Sequence, residues 1–178
     1  LDLLRLFPGS EGTLGVITEL TLRLLPKPES SASLLAAFDS LEAALAAARA
    51  IFASGCLPAA MELFCDRTIQ ALAAANLSSP WKLGSDAALL LRLDGTAAAV
   101  SAEAARLADL LQPADVHVAS DPAAEEALWD IRRSVSQATF ALAPDKLSDD
   151  VTVPRSRIAA LIAGPGGRRE IEARYGLS

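Results

Sequence analysis

Over residues 16–25 apolar and polar side chains alternate. Val16, Thr18, Leu20, Leu22 and Leu24 fall on one face of an extended chain, and Ile17, Glu19, Thr21 and Arg23 on the other. That period of two predicts a half-buried strand. A glycine turn feeds it, Gly9-Ser10-Glu11-Gly12-Thr13-Leu14-Gly15, and Pro26-Lys27-Pro28 stops it. Two prolines forbid continued ladder pairing, so residues 26–31 predict a linker and a domain boundary. The expected units are residues 1–28 and 29–178.

Beyond the linker, strands and helices alternate. Residues 32–38 predict a strand. Asp39-Ser40-Leu41-Glu42 then supplies an N-cap with a capping-box acid, and the Ala-rich helix that follows ends at Gly55, a C′ residue. Strands are predicted over 58–64, 86–93 and 114–120, and helices over 66–76 and 96–111. Asp121 caps a long helix with Pro122 in its first turn and acids at its positive end. That helix is predicted to reach residue 142 and to stop before Pro144. Residues 147–153 predict a fifth strand, closed by Pro154. Helices over 155–163 and 168–175 are interrupted by Gly164-Pro165-Gly166-Gly167. Residues 34–64 and 89–118 repeat one order: strand, aspartate, Ala-rich helix, strand. Two such β-α-β units predict an α+β fold. It is a ferredoxin-like, mostly antiparallel sheet with helices on one face, preceded by the strand after the glycine turn.

Composition narrows the function classes. The chain has 178 residues, 52% hydrophobic and 21% charged, which describes a globular domain. Aromatics at 4% are too few for a base-stacking surface, and a net charge of −6 lacks the footprint of a nucleic-acid or anionic-membrane binder. No apolar run is long enough to span a bilayer and no signal-peptide pattern opens the chain, so a cytoplasmic protein is expected. The chain begins inside the apolar run Leu1-Asp2-Leu3-Leu4-Arg5-Leu6 and stops at Tyr175-Gly176-Leu177-Ser178, which predicts a piece of a longer protein.

Few residues carry candidate chemistry. Cys56 and Cys65 fit neither a C-x-x-C motif nor a zinc ribbon and read as reduced thiols. His117 is the single histidine and reads as structural; no metal site is predicted. Asp150 reads as a turn or capping residue. Gly164-Pro165-Gly166-Gly167 lacks the following Lys-Ser/Thr of a phosphate loop. The glycine turn is neither G-x-G-x-x-G nor a Walker loop. By spacing it is either a tight turn before an edge strand or a main-chain cradle for a polar ligand. Arg132 borders the helical stripe of Leu128, Ile131 and Val135, and Arg133 follows Asp130 by three. Each is either an ion-pair partner, of Asp130, Glu126 or a neighbouring element, or a carboxylate clamp.

Gly9-Ser10-Glu11-Gly12-Thr13-Leu14-Gly15-Val16-Ile17-Thr18, followed by Leu24-Leu25-Pro26-Lys27-Pro28, resembles the segment that closes the flavin-binding domain of FAD-linked oxidases of the vanillyl-alcohol oxidase type. The branch it resembles contains the glycolate oxidase flavin subunit and the D-lactate and D-2-hydroxyglutarate dehydrogenases. Leu128-Trp129-Asp130-Ile131-Arg132 resembles that family's Leu-Trp-x-x-Arg helix, and Asp150-Val151-Thr152-Val153-Pro154 its Asp-Val-x-Val-Pro strand. The resemblance implies a flavin-dependent oxidoreductase that takes a hydride from a D-2-hydroxy acid to FAD and yields the 2-oxo acid. It implies main-chain FAD contacts at Glu11, Gly12, Thr13, Leu14, Gly15, Val16 and Ile17, and a substrate carboxylate on Arg132. Arg133 has no matching position. Some members carry a substrate lysine two residues before the matching aspartate; here that position is Ser148, and the nearest lysine is Lys146. The resemblance also implies a small 2-hydroxy acid as substrate, and it accommodates partner subunits of an oxidase complex or a homo-oligomer. The family's His-rich motif would follow Tyr175-Gly176-Leu177, so no catalytic base is assigned within the chain. The alternative is a non-enzymatic ferredoxin-like module for ligand binding or dimerisation. The 178-residue chain by itself is expected to hold no FAD and to turn over no substrate; a stoichiometric flavin absorbance in the purified chain would refute this.

Overall fold

Two runs, Leu34-Leu35-Ala36-Ala37-Phe38 and Ala87-Ala88-Leu89-Leu90-Leu91, are apolar at every position instead of every second one. A strand of that kind must be covered on both sides. The computed structural model, which describes residues 3–76, 86–142, 144–146, 150–164 and 167–175, places them at the centre of a sheet.

The sheet contains β1 (Ser30–Phe38), β2 (Ala60–Cys65), β3 (Ala87–Gly95) and β4 (Asp115–Ala119) in the order β2-β3-β1-β4. Every pairing is antiparallel, with Leu34 opposite Leu91 and Val118, and Leu63 opposite Leu89. The connections are α1 (Leu41–Ala53), α2 (Asp66–Ala74) and α3 (Ala97–Leu110), and α4 (Pro122–Ala138) follows β4. This is the predicted ferredoxin-like arrangement, with one added helix between β2 and β3. α1 and α3 cover one face, over Leu34, Ala36, Leu89, Leu91 and Leu93. α2 and α4 cover the other, where Phe64, Leu72, Leu90, Leu128 and Ile131 pack together with Leu35. Helices therefore lie on both faces rather than on the single face expected, because β1 and β3 expose apolar side chains in both directions.

The caps lie close to their predicted places. Ser40 Oγ accepts from the Ala43 amide, Asp121 Oδ1 accepts from Ala124 with Pro122 in the first turn, and Gly55 closes α1 at φ +84°. α4 ends at Ala138 and a 3-10 turn, Thr139–Ala141, completes the predicted length. α5 (Ile158–Ala163) and α6 (Arg168–Tyr175) flank the glycine-rich interruption, of which Pro165 and Gly166 lie outside the described residues.

Two predicted strands do not form among the described residues. Residues 14–28 are exposed and outside regular structure, and no main-chain hydrogen bond among the described residues involves them. A strand requires a partner, and alternation alone does not supply one. Of the predicted fifth strand, residues 147–149 lie outside the described residues, and 150–154 pair with no strand.

Cys56, buried at the end of α1, sits on the α1–α3 side of the core. Burial, reinforced by a thiol hydrogen bond to Glu103, pushes its thiol up to about 11. Arg106 donates to Glu103 and to the Ser54 carbonyl, and holds the Glu103 carboxyl below its usual range. The unfolded thiol titrates near 8.5. The folded state therefore binds this proton more tightly, and the stability it contributes is complete below about 8.5 and lost as pH rises through about 11. Urea titrations should show the stability difference between wild type and Cys56→Ala shifting against wild type across that window. A pH-independent difference would contradict the assignment.

Candidate functional site

The α2–α4 face of the sheet divides along its length. Toward one end it is apolar, with Phe64, Leu90, Leu35 and Ile131. At the other, the register brings Ser33 opposite Arg92, and Arg92 opposite Ala60, two residues from Glu62. α4 crosses this polar end and contributes Glu125, Trp129 and Arg132.

Ser33 is fully buried in β1, so its hydroxyl needs partners inside the protein. Trp129 Nε1 donates to Ser33 Oγ at 2.9 Å, and Ser33 Oγ donates to Glu125 Oε2 at 2.8 Å. Ser31 Oγ donates to the second carboxylate oxygen at 2.7 Å. Glu125 is 7% exposed and lies in the first turn of α4, where the helix dipole favours a negative charge. These bonds fix the rotation and the axial position of α4 on the sheet.

One turn beyond Trp129, Arg132 Nε forms an ion pair with Glu62 Oε2 at 2.9 Å. The terminal guanidinium nitrogens of Arg132 have no partner among the described residues. Arg133 points elsewhere, to Glu126 and Asp130, at 2.6 and 2.5 Å. These contacts raise its guanidinium above its ordinary value, the Asp130 hydrogen bond first. The sequence left both arginines open between ion pair and clamp. In the structure Arg133 pairs through Nε and one terminal nitrogen with acids of its own helix, whereas the single ion pair of Arg132 is made at Nε, to another element. A further turn along, Lys146 Nζ donates to Ser136 Oγ at 2.8 Å, which places an amine beside α4; Ser148 lies outside the described residues.

A groove of about 800 Å³ opens at the N-terminal end of α4. Lys27, Arg92, Asp94, Glu125, Glu126 and Trp129 are among the residues lining it. The linker thus meets the same face as α4. The glycine segment itself stands apart. It makes two turns of its own, with Ser10 N donating to Phe7 O and Thr13 N to Ser10 O. Gly12 has φ +78° and Gly9 φ +83°, and a Cβ at either would meet nothing within 4 Å. Conformation, not crowding, calls for glycine there. No hydrogen bond or ion pair among the described residues links residues 9–28 to α4 or to the sheet. The structure therefore does not bring Glu11, Gly12, Thr13, Leu14, Gly15, Val16 and Ile17 into contact with Arg132. It leaves their main chain exposed to whatever else can pair with it.

The remaining candidates carry no site. His117 is exposed on the edge strand β4, and Asp150 is exposed outside regular structure. No cluster of three or more metal-ligating side chains occurs among the described residues, and no helix among them is long and apolar enough to cross a membrane. Glu62, Glu125 and Ser33 were missed by the sequence reading. The signal for Ser33 and Glu62 was polarity inside otherwise apolar runs, and Glu125 read only as an acid at the positive end of its helix.

A family model described as FAD linked oxidases, C-terminal domain, matches residues 27–170. The glycolate oxidase subunit GlcD of Escherichia coli (strain K12) is 38% identical over 166 residues, covering 92% of this chain and 33% of the relative. GlcD of Bacillus subtilis (strain 168) is 35% identical over 181 residues, covering 99% and 37%. The mitochondrial D-lactate dehydrogenase (cytochrome) of Arabidopsis thaliana is 34% identical over 177 residues, covering 97% and 30%. The chain spans about a third of the length of the curated relatives it matches. A solved alkyldihydroxyacetonephosphate synthase superposes with a TM-score of 0.58 at 18% identity, over 82% of this chain and 31% of that one, a likeness of fold.

The Ser33 network yields a stability test. Ser33→Ala removes the acceptor of a part-buried indole N–H and one donor to a buried carboxylate. The expected loss is about 1–3 kcal/mol by urea unfolding, with a shift in Trp129 fluorescence. A loss below about 0.5 kcal/mol would remove the network from the account of how α4 is held.

Proposed function

The chain belongs to the family of FAD linked oxidases, C-terminal domain, and on that premise we propose that it is the substrate domain of a longer flavoprotein that oxidises a small D-2-hydroxy acid, of the glycolate or D-lactate kind, to the 2-oxo acid. Residues 1–28 are assigned to the end of a preceding FAD-binding domain. Support comes from the family match, which starts at residue 27, and from the ladder, which starts at Ser30.

The exposed turn at Gly12 and the main chain that follows it, which makes no main-chain hydrogen bond from residue 14 on among the described residues, suit a flat polar body lying along them. Glu11, Gly12, Thr13, Leu14, Gly15, Val16 and Ile17 would hold the FAD through their main-chain groups. Bound FAD supplies the hydride acceptor. The remaining work falls to this chain's own side chains. Arg132 offers two terminal N–H donors in a plane, the geometry that takes a carboxylate through paired charge-assisted bonds. A carboxylate fixed there orients the α-carbon and its hydroxyl as one rigid unit, which removes most of the orientational freedom that limits the reaction in water. The observation that carries the reading is that Arg132, in the Leu-Trp-x-x-Arg position of α4, keeps its terminal nitrogens free. Assembly with further subunits, as in an oxidase complex, is part of the same proposal.

In the FAD-loaded full-length protein, Arg132→Ala should lower kcat/KM for a 2-hydroxy acid about 10- to 100-fold with flavin content unchanged. Arg132→Lys should recover only part of the loss, since it keeps the charge without the planar donor pair. Unchanged kinetics in Arg132→Ala would refute the assignment.

A further inference from the structure

Glu62 and Arg132 come from different elements, the edge strand β2 and the helix α4. Their side chains are 36% and 46% exposed, and an ion pair that open contributes little to stability. Its effect is geometric. An arginine head on four rotatable bonds sweeps a wide arc unless something stops it, whereas the backbone on each side of this pair is already fixed. Glu62 sits opposite Leu90 in the ladder, and α4 is anchored by buried Leu128 and Ile131 and by the Trp129–Ser33 bond. The carboxylate also meets Nε, the nitrogen nearest the helix. Contact at Nε narrows the arc, and neither terminal nitrogen makes a hydrogen bond among the described residues. Arg133 differs in that a terminal nitrogen, as well as Nε, binds acids of its own helix, Glu126 and Asp130.

We propose that Glu62 is the positioning residue for Arg132, gripping it at Nε so that the terminal nitrogens are presented to the substrate carboxylate. The inference rests on the assignment of Arg132 above and adds to it a residue that does not touch the substrate.

Two measurements test it. In the 178-residue chain, the Arg132 Nε–H NMR signal, identified by its loss in Arg132→Lys, is expected to stand apart from the other arginine Nε–H signals. It should move into their range in Glu62→Ala and part of the way in Glu62→Gln. In the FAD-loaded full-length protein, Glu62→Ala should raise KM for a 2-hydroxy acid on the order of tenfold, while kcat changes by less than about threefold. Flavin content and urea midpoint should stay at wild-type values, and Glu62→Gln should restore part of the KM. A signal that does not move in Glu62→Ala, or a KM within about twofold of wild type, overturns the role. If instead Arg132→Ala leaves KM unchanged, the Arg132 assignment fails, and the Nε–H signal still decides whether Glu62 grips the side chain.

Discussion

The central strand β1 is buried along both faces, yet it carries a serine in the middle of its run. Everything at the polar end of the domain follows from satisfying that one hydroxyl. An unpaired hydroxyl in such a place would cost a substantial fraction of a domain's stability. Here it is satisfied twice, by accepting from Trp129 and donating to Glu125. Both partners lie on α4, four residues apart on one side of the helix. A helix held at two points a turn apart can neither rotate nor slide, so each other side chain on α4 has a determined direction.

That determination separates two adjacent arginines of equal charge. Arg132 and Arg133 differ by one residue and hence by about 100° around the helix. The nearer lands against β2 and meets Glu62; the farther finds acids only on its own helix. The buried carboxylate of Glu125 serves the same arrangement. It sits in the first turn of α4, where the aligned peptide dipoles and two serine hydroxyls offset its burial without an arginine. The positive charge on this face is thereby left for other use.

Local signals in the sequence were sufficient for the ladder. Caps at Asp121 and Gly55, the strand–helix alternation and the Ala-rich connecting helices all gave the antiparallel, ferredoxin-like order. The second helical layer was also written in the chain, in the unbroken apolar runs of β1 and β3, but a period-of-two search passes over runs with no period. Residues 16–25 failed in the opposite sense. Their alternation is clear, and they make no ladder, because pairing is a property of two segments and the sequence displays only one. The candidate site was partly legible. Arg132 could be named from its helix motif, whereas Glu62 lies seventy positions upstream and joins it only through the sheet register.

The same distinction accounts for the two ends of the site. The sheet and its helices satisfy their own polar groups and bury their own apolar faces, so Arg132 is positioned by contacts internal to the domain. Residues 14–25 do neither. Leu14, Val16, Ile17, Leu20, Leu22, Leu24 and Leu25 are all exposed, next to main-chain groups without partners among the described residues. An exposed, alternating, unpaired segment is an unstable surface in water and a good template for an added strand. Lys27 at its end lines the groove that Trp129 and Glu125 also line. Chain connectivity alone thus keeps that segment close to the α4 face, within one linker of the groove.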